Sequence, residues 1–280
     1  MFNKDFGAML YFCCMKCLLF GALASTGLLI MSCSGNNDTS AGNTAPQSSV
    51  ASLSYTVGGA FPHDTSHFTQ GLAFYGDQLL EGTGNYGASK LLQLDLSTGK
   101  STREVALPKE FFGEGITILN DTVYQLTWKE NKVFAYTAKD FKKVKEFSIN
   151  TEGWGITHNG SELIVSDGSS NLYFYEPSTF RLMRTQGVTE DGSPAVNLNE
   201  LEYINGHVYA NQWQYNYILK IDPRSGQVVG KMDLSELHNR AKAKNPSADV
   251  LNGIAFNPVS KKVYVTGKDW PEIYELQFNP

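Results

Sequence analysis

The sequence predicts an all-β fold, a β-propeller built from four-stranded antiparallel blades, on three observations. A hairpin unit recurs five times, pairs of Asn, Asp and Gly punctuate it, and 12% of the 280 residues are aromatic beside 26 glycines. Such a composition favours strands joined by tight turns. The first strands of the units read QGLAF, EGITIL, WGITH, NELEYI and NGIAF, beginning at Gln70, Glu114, Trp154, Asn199 and Asn252. Their spacings of 44, 40, 45 and 53 residues suit propeller blades.

Each first strand runs into a turn: Gly76-Asp77, Asn120-Asp121, Asn159-Gly160, Asn205-Gly206 and the longer segment 257–260. These are hairpin residues, able to take the left-handed backbone that a two-residue loop demands. The second strands are QLLEGTG, TVYQLTW, ELIVSDG, HVYANQW and KVYVTGK, ending at Gly84, Trp128, Gly168, Trp213 and Lys268. Outer strands follow, among them LLQLDL, KVFAYT and IYELQF. A strand near 54–59 has no partner in its own repeat and is expected to complete the last blade, which closes the ring and removes a free edge. Within the longest spacing, 235–244 has helix-forming composition, with Ser235 as candidate cap and Pro246 as stop, and is expected as a helical insertion between blades four and five. Residues 186–198 read as a loop, a candidate rim or lid.

Ahead of the repeats, residues 17–32 form an apolar run closed by Cys33. Ile30-Met31-Ser32-Cys33 resembles a bacterial lipobox. That resemblance implies a signal peptide over 1–32, with Met15 a candidate true start, a lipidated Cys33 and a flexible tether over 33–50. The domain itself is placed at 51–280. The expected location is the bacterial cell envelope, as an outer-membrane lipoprotein facing the periplasm. All four cysteines lie in the leader, so the domain has no thiol for a disulfide, a zinc cluster or a nucleophile. A net charge of −5 offers no basic excess for a phosphate backbone, which argues against nucleic acid as a partner.

In an antiparallel hairpin the start of the first strand and the end of the second share one end. With the first strands innermost, Gln70, Glu114, Trp154, Asn199 and Asn252 ring a channel mouth, and Trp128, Trp213 and Lys268 stand outside them. Equivalent positions of a repeat carry an acid, three amides and an aromatic, as a binding site would require. The same residues also suit a solvated channel with tryptophans packed between blades, and the repeat alone leaves both readings open. Glu114 is the evident carboxylate and Lys268 the candidate cation, among Phe68, Phe112, Trp128, Trp154 and Trp213. Aromatic walls would raise the Glu114 pKa and Lys268 would lower it. Of the histidines, His63 and His67 read as surface or capping residues, while Asp167 and Glu202 suit either a structural role or a place close to the site. Trp270 reads as packing.

The motifs FTQGL, FFGEGIT, LTW, EGWGIT, LNELEYI, VYANQW, LNGIAF and VTGKDWPEIYEL, spread from 68 to 276, resemble those of the plant and bacterial type of glutaminyl-peptide cyclotransferase (glutaminyl cyclase). The resemblance implies a five-bladed β-propeller that converts N-terminal Gln of peptides or proteins to pyroglutamate with release of ammonia. It implies no cofactor and no catalytic metal. By matching motif, Glu114 is the general acid/base, and Gln70, Asn199 and Lys268 are polar partners of the reacting centre. Trp128, Trp154, Trp213, Phe68 and Phe112 are the walls. A monomer is expected, touching a membrane only through its lipid anchor. The alternatives are a non-catalytic peptide- or glycan-binding propeller and a metal-dependent lactonase-like hydrolase.

Overall fold

The computed structural model describes residues 50–280. The expected signal peptide, the lipidation at Cys33 and the tether up to residue 49 lie outside the described residues. Each predicted hairpin forms the inner half of a blade. Blade one comprises Thr69–Tyr75, Gln78–Thr83, Lys90–Asp95 and Lys100–Ala106, and blade two Gly113–Leu119, Thr122–Thr127, Lys132–Thr137 and Lys143–Ser148. Blade three uses Ile156–His158, Leu163–Val165, Asn171–Glu176 and Arg181–Gly187. Blade four uses Leu198–Ile204, His207–Gln212, Tyr217–Ile221 and Val228–Asp233. Blade five has Leu251–Phe256, Val263–Gly267 and Glu272–Gln277 from the C-terminal repeat. The fold is therefore the five-bladed propeller that the repeats predict.

The ring closes as expected, and then further. Strand Thr56–Pro62 pairs antiparallel with Glu272–Gln277, supplying the outermost strand of blade five. Just before it, Ala51–Ser52 pairs in parallel with Val228–Asp233 of blade four, so the incoming chain ties two blades. Two residues carry no periodicity, which is why the sequence did not show this second tie.

Each blade buries both faces, because neighbouring blades pack face to face around the ring. Five apolar clusters result, one between each pair of neighbours. Leu126, Val133, Ile156, Leu163 and Val165 fill the gap between blades two and three, and Leu201, Val208 and Ala210 meet Ile164 and Phe174 between three and four. The outermost strands of blades one and three are largely exposed, and Lys100, Arg103 and Glu104 on the first and Arg181 and Arg184 on the second put charge along their free edges.

The insertion is a helix over Ser235–Lys244, with Glu236 in its first turn and Lys242 and Lys244 in its last, as the helix dipole favours. Leu237 and Ala241, four residues apart, bury one face against the core between blades four and five. Ser235 does not cap it. The residue preceding the helix is Leu234, without a side-chain cap, and Asp233 Oδ1 instead accepts the Ser235 N–H at 2.8 Å. The 186–198 loop folds into a small hairpin of Thr189–Glu190 and Ser193–Pro194. It is pinned at the rim: Asn197 donates to the Gly168 carbonyl and accepts from the Trp213 N–H.

Candidate active site

The pairings Thr69↔Thr83, Gly113↔Thr127, Leu198↔Gln212 and Leu251↔Gly267 put the starts of the inner strands beside the ends of the second strands. Immediately after these pairs the register shifts in four of the five blades, between 69 and 71, 113 and 116, 198 and 201, and 251 and 254. Gln70, Glu114, Asn199 and Asn252 thus sit on repeated β-bulges, the device by which a strand re-aims a side chain. Glycine follows Glu114 because the inner strands converge there: a Cβ on Gly115 would stand 2.7 Å from the Trp154 carbonyl oxygen.

One cavity of about 360 Å³ opens at this end of the propeller. Phe68, Gln70, Phe112, Glu114, Trp128, Trp154, Asn199, Trp213 and Lys268 line it, together with Asn85 and Asp249. The nine candidates drawn from the sequence therefore share one space. Asn252 does not line it. It lies fully buried, donating from Nδ2 to the Thr69 carbonyl at 3.0 Å and to Gln70 Oε1 at 3.1 Å. Gln70's carbonyl is thereby occupied and its NH2 is the end left for a ligand. Asn199 Oδ1 is buried without a partner among the described residues.

The walls are continuous. Phe68, Phe112 and Trp128 meet edge to face at 6.3 and 5.6 Å between centroids, and Trp154 meets Trp213 at 5.5 Å. Two positions of the second-strand column are glycine for steric reasons. A Cβ on Gly84 would collide with the Phe112 ring, and one on Gly168, at φ +80°, would stand 2.6 Å from the Trp154 ring. A feature absent from the sequence reading joins the two halves of the wall. Glu152 Oε2 accepts both the Trp128 indole N–H, at 2.8 Å, and that of Trp154, at 3.1 Å. The EGWGIT motif contains this residue, but only the fold shows that its carboxylate spans two blades.

The Glu114 side chain is buried, and among the described residues none hydrogen-bonds its carboxyl. Burial pushes its pKa well above the usual carboxylate range; Lys268 opposes that push, and the Glu130 and Glu152 charges add to it. Burial likewise lowers the Lys268 pKa, against the pull of Glu114, Asp249 and Asp269. The Lys268 ammonium lies 4.6 Å from the centre of the Phe68 ring. A carboxyl of raised basicity, a cation and two amides therefore face one aromatic cavity. Asp167 binds Ser169 in a local turn and Glu202 lies at the opposite mouth of the channel. His63 is not a surface residue: it is buried against Glu81, because the closing strand delivers it between blades five and one.

Comparison with known proteins places the chain among glutamine cyclotransferases. The chain is 40% identical over 220 residues to a glutaminyl-peptide cyclotransferase of Arabidopsis thaliana, covering 78% of this chain and 69% of the plant protein. Its structure matches the crystal structure of Myxococcus xanthus glutaminyl cyclase with a TM-score of 0.78 and 35% identity, over 82% of this chain and 98% of that one. The glutamine cyclotransferase family model matches residues 28–278, a span that includes every residue lining the cavity, and the chain belongs to that family.

Proposed function

We propose that the cavity closes the N-terminal glutaminyl residue of a peptide into a pyroglutamyl ring, with Glu114 moving the proton. The observation that carries this assignment is the buried Glu114 carboxyl, free of hydrogen bonds from the described residues, in an aromatic space of small-ligand size. The α-amine nitrogen attacks the γ-carboxamide carbon of its own residue. Glu114 takes a proton from that nitrogen and returns one to the amide nitrogen as its bond to carbon breaks. The products are the lactam and ammonia, and no water is consumed. Such a relay contributes roughly 10²- to 10⁴-fold, and it works best when the carboxyl pKa approaches the working pH, the direction in which burial pushes Glu114.

The remaining side chains divide the other tasks. The rings of Phe68, Phe112, Trp128, Trp154 and Trp213 exclude water and favour the folded conformer that attack requires. Gln70, Asn199 and Lys268 supply donors to the oxygen that becomes negative as the carbonyl is attacked. Acidic groups at the rim, Glu130, Glu152 and Asp249, attract the cationic N-terminus before it loses its proton. The protein is read as acting as a monomer. Incubating the protein with Gln-Gln and measuring ammonia tests this: release matched by pyroglutamyl product is expected. Folded protein that binds the dipeptide and releases no ammonia would instead make it a peptide-binding propeller.

The lipobox resemblance at residues 30–33 supports a lipid anchor on Cys33 and an outer-membrane protein facing the periplasm, where its substrates would be envelope peptides beginning with Gln. Radiolabelled palmitate should enter the wild type and not Cys33→Ser; equal labelling of both would remove the anchor.

A further inference from the structure

The ring closure holds a side-chain cluster that the cavity does not use. His63 follows the closing strand Thr56–Pro62, Glu81 stands on the second strand of blade one, and His67 precedes the innermost strand of that blade. The side chains of His63 and Glu81 have no exposure, and that of His67 has 14%. His63 Nδ1 lies 2.8 Å from the Trp270 carbonyl oxygen, so Nδ1 carries a proton and donates it there. Nε2 then points at the Glu81 carboxylate, 3.2 Å from each of its oxygens. A lone pair facing an anion is repulsive, so a positive charge belongs between them, either a second ring proton or a metal ion.

The His63–Glu81 distances favour the metal. A charged N–H donor closes on one carboxylate oxygen at about 2.7–2.9 Å. Ligand atoms about 2.0–2.1 Å from a tetrahedral zinc stand about 3.3 Å from one another. His67 Nδ1 completes the group: it holds a hydrogen bond of 2.8 Å to Glu81 Oε2 that a metal would replace, taking the place of its proton, and one ligand atom from each of the three residues lies within 4.8 Å of the others. The ligands are also oriented from behind, as zinc ligands are. The Trp270 carbonyl fixes the His63 ring, and the Thr69 hydroxyl donates to Glu81 Oε1 at 2.6 Å. Two imidazoles and a carboxylate suit zinc rather than calcium or magnesium, which take oxygen ligands.

We propose that His63 Nε2, His67 Nδ1 and the Glu81 carboxylate form a zinc site that locks the closure of the propeller. The site joins the closing strand to blade one and steadies the segment that runs on to Phe68 and Gln70. The His67 carbonyl also accepts the Asp269 N–H at 2.9 Å, next to Lys268, so the lock adjoins two walls of the cavity without contributing to it.

Untagged full chain, stripped with chelator and dialysed, is titrated with Co²⁺ and Zn²⁺ by absorption and calorimetry. One cobalt per chain is expected, with visible bands of a nitrogen and oxygen site and without the near-ultraviolet thiolate band that the leader cysteines would give. Zinc at a hundredfold excess over Kd should raise the Tm by about 5–10 °C. His67→Asn, at a part-exposed position that the fold tolerates, should weaken metal binding at least 100-fold, and Glu81→Gln should do the same if it folds. Thiolate bands alone, no one-to-one uptake by folded protein, or unchanged affinity in His67→Asn would overturn the proposal. None of these readings depends on ammonia release, so they stand or fall apart from the cyclisation assignment.

Discussion

The mouth of the central channel and its interior both hold buried carboxyls, and they use them differently. Just past Asn199, inside the channel, Glu200 reaches from blade four across the axis, where Oε1 accepts the Leu72 N–H at 3.2 Å and Oε2 the Ile254 N–H at 2.8 Å. Glu202, part-exposed at the opposite mouth, accepts the Phe256 N–H at 2.8 Å and a bond from the Thr157 hydroxyl at 3.3 Å. Desolvation raises both, Glu202 to about 8. Glu114 at the cavity mouth is raised for the same first reason, yet its oxygens hold no backbone. Burial and a raised pKa therefore do not distinguish a catalytic carboxyl from a structural one. What distinguishes them is whether the oxygens are already occupied.

That contrast breaks most sharply at Glu114. Glu114→Gln keeps the shape and removes the proton carrier, so kcat should fall about 10²- to 10⁴-fold with the Tm within about 2 °C of wild type. A rate near that of wild type would end its role. The mirror experiment is Glu200→Ala, which leaves two buried N–H groups without acceptors. A loss of about 2–4 kcal/mol is expected, read as a clear drop in Tm, with kcat per folded molecule within twofold. Glu200 and Glu202 also carry a pH signature. A group whose pKa is raised by folding stabilises the fold while protonated, fully below the unfolded value and no longer above the folded one. For Glu202 the Tm should fall as the pH climbs from 5 through about 8, and Glu202→Gln should flatten that slope.

The blades and both columns of cavity residues were legible because repetition exposes them. Five hairpins with the same turn chemistry give the order of the strands, and antiparallel pairing alone puts Glu114 and Lys268 at one end. Three further features were not legible, each for a physical reason. Glu200 occupies the place where the other four repeats have glycine, but only the converging inner strands show that this place faces Leu72 and Ile254 of other blades. Asn252 matches its repeat partners in sequence, yet its amide is turned to hold Gln70. His63 looks like a loop residue until the closing strand carries it 207 positions away in sequence to Trp270. Contacts between distant repeats leave no mark on local pattern.

The smallest effect tests the cavity by its field. Glu152 holds two indoles with one oxygen and, through its charge, adds to the rise in the Glu114 pKa that burial begins and Lys268 opposes. Glu152→Gln keeps an acceptor for the indoles and removes the charge. Glu114 then ionises more easily, so the acid limb of kcat/KM, which marks the carboxylate form needed to take a proton, should move to lower pH by about half a unit. KM should rise a few-fold as the rim loses a charge that attracts the ammonium end. Glu152→Ala also releases the two tryptophans, and its tryptophan emission should change where that of Glu152→Gln does not. A limb that stays in place in Glu152→Gln would mean that a group other than Glu114 titrates there, since any carboxyl in that cavity must feel the loss of a neighbouring anion.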